Sequence, residues 1–432
     1  MEYKRIASKK MIHIAYYFPP IKSVGVNRSN RLANELASFF YSYTVFTTSN
    51  RNRLPSQTLP IDDSIRVVEV PTFDFRTVLS FFRKKDRVHF NTDFKKKFFL
   101  VWWAKLIASF PFNILFGQGG LIYIFTAFVK ISRDVKKESD NFVILSVFHP
   151  YADHIVAYLV KRRFPKVLWI ADFKDLHIDP VYRNYLWKPI QIWFNKKILK
   201  KANFLTTVSE GLAQNLKQFH EDIFILPNGT NQLEVQRKLR DDKFVISYTG
   251  SMYQGKAQLF FEALKALIED GEISQDDIKL QQAGRDGDVW QAWVSKYGLT
   301  DVFLSKGVVS MSSAQKMQAE SHVNLLFSTS HDGYKGIMTS KIYEYLAASN
   351  PIFVVIDGPK DEYFERALSG IDDIFIGYDA ESIGRAKSFL LNLYLAWKDG
   401  KYPQISRSSW DKRYYWPKMI RRFLEKLELE LN

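Results

Sequence analysis

Residues 12–47 read IHIAYYFPPIKSVGVNRSNRLANELASFFYSYTVFT. Ile12–Phe18 is a short apolar run and suits a buried strand. Pro19-Pro20 closes it, and a loop containing Gly25 follows. From Asn27 to Phe40, Leu32, Leu36, Phe39 and Phe40 recur at helical spacing, and Tyr43–Thr47 returns to a strand-like pattern. Strand, loop, helix and strand in that order predict a parallel α/β sheet.

The rhythm extends outward from this stretch. Ile65–Val70 reads as a third strand. Residues 75–140 interrupt the pattern with the basic clusters Arg83-Lys84-Lys85 and Lys95-Lys96-Lys97, the pair Trp102-Trp103 and an uncharged run, Leu106–Val129. Strands then return at Phe142–Ser146, Val167–Ala171, Phe204–Val208 and Ile223–Leu226, with helices at His154–Arg162 and Pro189–Lys201. The polar stretch 229–243 lacks apolar periodicity and marks a boundary. A second α/β series follows, with strands at Phe244–Tyr248, Ile278–Ala283, Val302–Leu304, Val323–Phe327 and Ile352–Val355, and a helix at Ala257–Asp270. Trp416–Leu431 is an amphipathic helix. The organisation is therefore an N-terminal α/β domain, 1–230, with a basic aromatic insertion at about 75–140; a second α/β domain, 243–412; and a terminal helix, 413–432. Ligands of open parallel sheets bind beyond the carboxyl ends of the strands, which points to the cleft between two such domains.

Composition narrows the chemistry. The chain has 432 residues, 46% apolar and 25% charged, so it is globular rather than disordered. It has no cysteine, which excludes a disulfide scaffold, a thiolate zinc site, an iron–sulfur cluster and a cysteine nucleophile. That absence fits a reducing compartment. No secretory signal is visible, because Met11–Pro20 ends in Pro-Pro without a small-residue cleavage site. The net charge of +15 is uneven: residues 1–200 carry +18 and the remainder −3. A basic half suits nucleic acid, anionic lipid or a phosphorylated substrate. No nucleic-acid-binding module accompanies the charge. Residues 80–105 suit either a helix on an anionic membrane or a core-facing helix with a solvated basic side. Leu106–Val129 is broken by Pro111, Asn113 and several glycines, so a buried helical hairpin or a membrane-surface segment fits better than a span.

Two loops carry phosphate-binding chemistry. After Phe244–Tyr248 come Gly250, Ser251, Gly255 and Lys256, then a helix; a glycine turn with a lysine can hold phosphate through N–H groups and a point charge. The order is neither a P-loop nor GxGxxG, and an ordinary strand-to-helix turn reads equally well. The second is KGIMTSKIYEYLA, Lys335–Ala347. Its N–H groups, Ser340 and Lys341 could take a diphosphate, and Glu344 a ribose diol; alternatively Lys341 and Glu344 make a surface pair. His149, His154 and His177 lack metal spacing; Asp172 and Asp175, followed by Asp179, could suggest a metal, and a solvated acidic loop reads equally well. No metal site and no Gly-x-Ser-x-Gly elbow is expected.

Taken together, the pieces YYFPP…Gly25…Arg31, Ser146…His149-Pro150…His154, Ala171-Asp172-Phe173-Lys174-Asp175, Thr207-Val208-Ser209, Pro227-Asn228-Gly229, Gly250…Gly255-Lys256, Ala283-Gly284, Gly307-Val308-Val309 and Ser340-Lys341…Glu344-Tyr345-Leu346-Ala347…Pro351 occur in one order. In that order the chain resembles the family-four glycosyltransferases, most closely the subgroup that builds bacterial capsule, O-antigen and exopolysaccharide. The resemblance implies the GT-B fold: two Rossmann-like domains facing a central cleft, with the C-terminal helix crossing back to the N-terminal domain. It implies retaining transfer from a UDP- or GDP-linked sugar, bound as substrate with no cofactor, to a lipid-linked or oligosaccharide acceptor. The cytoplasmic side of the cell membrane, with the protein peripheral on an anionic surface, is the implied location. Gly25 would approach phosphate or acceptor, Lys256 the diphosphate and Val308 the base. Gly250, Ser251, Gly284, Lys335, Gly336, Ile337, Ser340 and Lys341 would line the donor, and Glu344 the ribose. His154 or Asp172 would face the transferred sugar. The chain departs from the family pattern at Ser251, where arginine is usual, at Gly336, which replaces the first of two glutamates, and at Lys174, which replaces arginine. The departures leave room for a GT-B sugar-nucleotide epimerase or a non-catalytic binding subunit.

Overall fold

The computed structural model describes residues 3–22, 24–49, 58–72, 110–115, 117, 119–176, 178, 187–230, 242–252, 257–402 and 411–431. It divides into two compact units, Met1–Leu226 with Ile420–Asn432, and Pro227–Met419.

The first unit holds seven parallel strands: β1 (Lys10–Ile14), β2 (Ser42–Thr48), β3 (Ile65–Val70), β4 (Phe142–Phe148), β5 (Leu168–Phe173), β6 (Phe204–Thr207) and β7 (Ile223–Ile225), in the order β3-β2-β1-β4-β5-β6-β7. β1 is an inner strand, Lys10–Ile14 lying against Ser42–Phe46 on one side and Phe142–Ser146 on the other. All seven residues of β4, FVILSVF, are buried, which is why this strand reads as a continuous apolar run rather than an alternating one. β1 ends four residues before the expected Phe18. Ala15, Tyr16 and Phe18 stay buried in the loop, because an apolar run reports burial and not strand pairing.

Helices cover the sheet: α1 (Val24–Leu36), α2 (Gly120–Val135), α3 (Ala152–Arg163), α4 (Lys188–Leu199) and α5 (Glu210–Leu216). α2 comes from the uncharged run of the sequence and buries Tyr123, Ile124, Ala127, Ile131 and Val135. Among the described residues, no helix is long and apolar enough to cross a membrane. The basic clusters and Trp102-Trp103 lie outside the described residues. The C-terminal helix, Trp416–Glu430, contributes to this unit from Ile420 onward, as the resemblance implied. Phe423, Leu424 and Leu427 are buried, the Phe423 ring lies 6.0 Å from that of Phe224, and Lys426 Nζ pairs with Asp222 at 2.6 Å.

The second unit has six parallel strands: β8 (Phe244–Thr249), β9 (Ile278–Ala283), β10 (Phe303–Ser305), β11 (Val323–Thr329), β12 (Ile352–Asp357) and β13 (Ile374–Gly377), in the order β10-β9-β8-β11-β12-β13. Its helices are α6 (Gln258–Glu269), α7 (Gly287–Lys296), α8 (Met311–Ala319), α9 (Ser340–Ala348), α10 (Glu362–Leu368) and α11 (Ile383–Lys398). Only β13 is absent from the sequence reading. It is a four-residue edge strand paired with β12 alone, too short to show a pattern.

Both sheets run outward from their first strand in two directions. The order reverses between β1 and β4 in one unit and between β8 and β11 in the other. Open α/β sheets bind ligands at such a reversal, beyond the carboxyl ends of the strands.

Candidate functional site

In the second unit the reversal lies between residues 250–252, which leave β8, and residues 330–339, which lead from β11 into α9. Glycines make this place. Gly250 has φ 116°, and a Cβ there would run into the Lys341 side chain. Gly284, at the end of β9, has φ 155°, and a Cβ there would strike the Gly250 carbonyl. Only glycine lets the two turns and the Lys341 stem share this space.

Lys341 sits one residue into α9. Its ammonium lies 4.6 Å from the centre of the Tyr248 ring, donates to the Tyr248 hydroxyl at 3.0 Å and lies 3.4 Å from the Ser251 carbonyl. Burial lowers its pKa to about 8, against the opposing pull of the Glu344 and Asp286 charges. Glu344, one turn on, accepts a hydrogen bond from Gln318 Nε2 at 3.0 Å. Burial raises the pKa of Glu344, while Gln318 and Lys341 act in the opposite direction. Gln318 is itself held by Thr249 Oγ1 at 2.9 Å, and Thr249 by the Tyr345 hydroxyl at 3.1 Å. Lys341 and Glu344 do not form the surface pair that their spacing allowed. Each is half-buried and faces a different partner.

The start of α9 has no side-chain cap. Thr339 occupies the N-cap position without a capping bond, and its hydroxyl is buried with no partner. Helices present unsatisfied N–H groups and a positive dipole end at this point. Ser340 is exposed beside it, and Ile337 is half-buried.

Other expected donor residues are differently employed. The Gly336 N–H is not open to a phosphate: it donates to both carboxylate oxygens of Asp361, at 2.9 and 2.7 Å. The same carboxylate caps α10 through the Phe364 N–H at 3.0 Å. Lys335 pairs with Glu362 at 2.9 Å. The 330–339 loop is thus fastened to the first turn of α10 at two adjacent residues. Val308 is 73% exposed. Lys256 lies outside the described residues. Asp361, Gln318 and Tyr248 escaped the sequence reading. An aspartate three residues before Phe364 is an N-cap signal that could have marked Asp361. Gln318 and Tyr248 meet α9 only through tertiary contacts.

Near the carboxyl ends of the first unit's strands, buried polar groups pair with one another. Asp172, at the end of β5, is fully buried and forked by Arg28, with Nη2–Oδ1 at 2.8 Å and Nε–Oδ2 at 3.1 Å; Thr206 donates at 2.7 Å. Burial pushes its pKa up, but Arg28 and Thr206 outweigh that and hold it below the ordinary value. His154, in α3, is also fully buried. Its Nδ1 lies 2.7 Å from Ser146 Oγ, which accepts from the Trp169 indole at 2.8 Å, and burial lowers its pKa to about 3. Both side chains therefore stand behind the surface instead of on it, because each is claimed by core partners. The exposed histidine of this segment is His149, directly after β4. Asp153 accepts from the Tyr16 N–H at 2.8 Å and the Tyr123 hydroxyl at 2.7 Å, and burial raises its pKa to about 7. Lys174 lies over Gly25, where a Cβ would meet its ammonium. Among the described residues, no group of three or more His, Asp or Glu side chains could hold a metal.

No protein-family model and no curated protein matches the chain. Solved structures do match along its whole length. Sucrose-phosphate synthase from Thermosynechococcus elongatus aligns with a TM-score of 0.60 and 12% identity, over 98% of each chain. The lipopolysaccharide outer core galactosyltransferase WaaB aligns at 0.53 and 12%, over 98% of this chain and 97% of that one. Anabaena HepE, in complex with UDP-glucose, aligns at 0.57 and 10%, over 97% and 99%. The fold of this chain is GT-B, with two Rossmann-like units built on parallel sheets.

Proposed function

We propose that the protein is a glycosyltransferase of the family-four type. It moves a sugar, with retention, from a nucleotide diphospho-sugar to an acceptor in bacterial surface polysaccharide synthesis, the acceptor being lipid-linked. The observation that carries this reading is the uncapped start of α9, with the Lys341 ammonium and the Glu344 carboxylate one turn apart at the strand-order reversal. The bond that breaks joins the sugar's anomeric carbon to the diphosphate, and negative charge grows on the departing oxygen. The Lys341 ammonium, the N–H groups at the uncapped start of α9 and Lys256 stabilise that charge as it forms. Glu344 accepts hydrogen bonds from the ribose diol, with Gln318 fixing its carboxylate. Gly250 and Gly284 keep the floor low enough for the diphosphate to approach. Asp361 fastens the 330–339 loop so that Ile337 and Ser340 line the sugar end.

In the first unit, Asp172 and His154 act as positioning residues for Arg28 and the loop after β4. Gly25 lets Lys174 stand where an acceptor phosphate would arrive. The +18 charge of the first 200 residues suits such an acceptor. HepE, solved in complex with UDP-glucose, and WaaB, a lipopolysaccharide outer core galactosyltransferase, share the fold and support the substrate class.

The test is thermal unfolding with UDP, GDP, ADP and CMP and their common sugars. One nucleoside diphosphate raises the melting temperature by mass action, and Lys341→Met removes the rise while keeping the ligand-free melting point. The absence of any shift in folded protein overturns the donor-site assignment. An inverted product anomer, read by NMR, overturns retention.

A further inference from the structure

Arg285 stands in the turn that leads from β9 into α7, and two sets of contacts fix that turn on either side of it. Before it, the Gly250 N–H donates to the Ala283 carbonyl at 2.7 Å, and Gly284 lies so close to the Gly250 carbonyl that a Cβ would strike it. After it, the Asp286 carboxylate accepts from the Met252 N–H at 2.8 Å. Residues 283 and 284 are thus seated against residue 250, and residue 286 against residue 252. The backbone of Arg285 therefore runs beside Ser251, where the chain leaves β8.

The cations around this reversal are not equally available. Lys335 is paired with Glu362 at 2.9 Å. The Lys341 ammonium rests on the Tyr248 ring and donates to the Tyr248 hydroxyl at 3.0 Å. Arg285 is exposed, and among the described residues its guanidinium holds no ion pair and no hydrogen bond. Its neighbour Asp286 gives its carboxylate to the Met252 N–H and does not pair with it. An exposed arginine is ordinary by itself. This one differs because its backbone is held at two points beside the floor made by Gly250 and Gly284.

A diphosphate on that floor carries more negative charge than one ammonium offsets. A guanidinium offers a planar fork that matches two phosphate oxygens at once, and it stays charged at any working pH. An extended arginine side chain is longer than the separation of neighbouring strands, about 4.8 Å, so its fork can cross to the Ser251 side. Ser251 brings no charge of its own to that place.

We propose that Arg285 is a diphosphate-binding residue of the donor site, supplying from the β9 turn the guanidinium that residue 251 lacks. The assignment rests on the glycosyltransferase reading for the diphosphate itself. It adds the group that makes the site prefer a nucleoside diphosphate to the bare nucleoside, and that shares with Lys341 the charge of the departing group.

The experiment measures binding of UDP, GDP and ADP to the full chain by calorimetry, and of uridine, guanosine and adenosine by NMR. Arg285→Gln weakens the diphosphate that the wild type binds by about tenfold or more and leaves the affinity for its nucleoside unchanged. Arg285 is exposed, so the variant keeps the ligand-free melting temperature. Arg285→Gln combined with Ser251→Arg returns the guanidinium from the facing turn and regains most of the loss. Ser251 tolerates the change because it is exposed, and Tyr248 and Lys341 use its carbonyl rather than its side chain. A single variant that binds the diphosphate as the wild type does, a loss of equal size for the nucleoside, or a double variant that regains nothing overturns the assignment and leaves the transferase reading standing. A wild type that binds no nucleoside diphosphate overturns that reading, and the assignment with it.

Discussion

The carboxyl ends of the two sheets invite comparison, because the same strand order produces them and they are furnished in opposite ways. In the first unit the carboxyl edge is filled from within. Arg28, Asp172 and Thr206 satisfy one another, and Asp153 is held by Tyr16 and Tyr123. In the second unit the reversal is shaped by glycine. Gly250 and Gly284 let the Lys341 stem and the Gly250 carbonyl lie where side chains would otherwise stand, Lys341 keeps a half-buried ammonium on an aromatic ring, and the start of α9 is left uncapped. Topology fixes where a site can be, whereas side-chain volume and pairing decide whether that place is a lock or a cradle.

The largest expected effect tests the lock. Arg28→Met leaves Asp172 buried without its cation and should lower stability by about 3–5 kcal/mol in urea unfolding. Arg28→Met combined with Asp172→Leu should recover much of the loss. A single variant as stable as the wild type would show that the pair is not the lock described here.

A smaller effect tests the cradle. Gly284→Ala forces a non-glycine residue to φ 155° and drives its methyl toward the Gly250 carbonyl. The cost should be about 1–3 kcal/mol, together with loss of the nucleotide-induced melting shift. If the shift survives, the floor between the two glycines is not where the diphosphate lies.

The smallest effect is a titration. Lys341 titrates near 8, so its charge is present at pH 7 and mostly gone at pH 9. If the charged form alone binds the diphosphate, affinity falls by about tenfold across that range. Lys341→Arg should flatten the profile, since guanidinium stays charged. The same group influences folding in the opposite direction. Its folded pKa lies below the ordinary 10.5, so between about 8 and 10.5 the unfolded chain binds more protons, and the Lys341 contribution to stability rises with pH. Calorimetric titration of the nucleotide from pH 7 to 9 checks the first point, and urea unfolding from pH 8 to 10.5 checks the second.

Much of this was legible in residue order. Twelve of the thirteen strands follow from short apolar runs bounded by turn residues and charge, β4 most plainly, since a strand covered on both faces is apolar along its length. The α9 motif was legible too, since a glycine-bearing loop entering a helix that begins with Ser340-Lys341 is local chemistry. The uses of Gly336, Lys335, His154 and Asp172 were not. Gly336 gives its N–H to Asp361, 25 residues away, and Asp172 meets Arg28 across 144 residues.

The sequence by itself therefore determined two parallel α/β sheets, a terminal helix with one apolar face, and the loops where a phosphate could bind, because each depends on periodicity and turn chemistry within a few residues. The tertiary structure alone decided which polar groups are already satisfied and which remain open to a ligand. Hydrogen bonding and burial are settled by neighbours that the chain brings together only when it folds, and no local pattern encodes them.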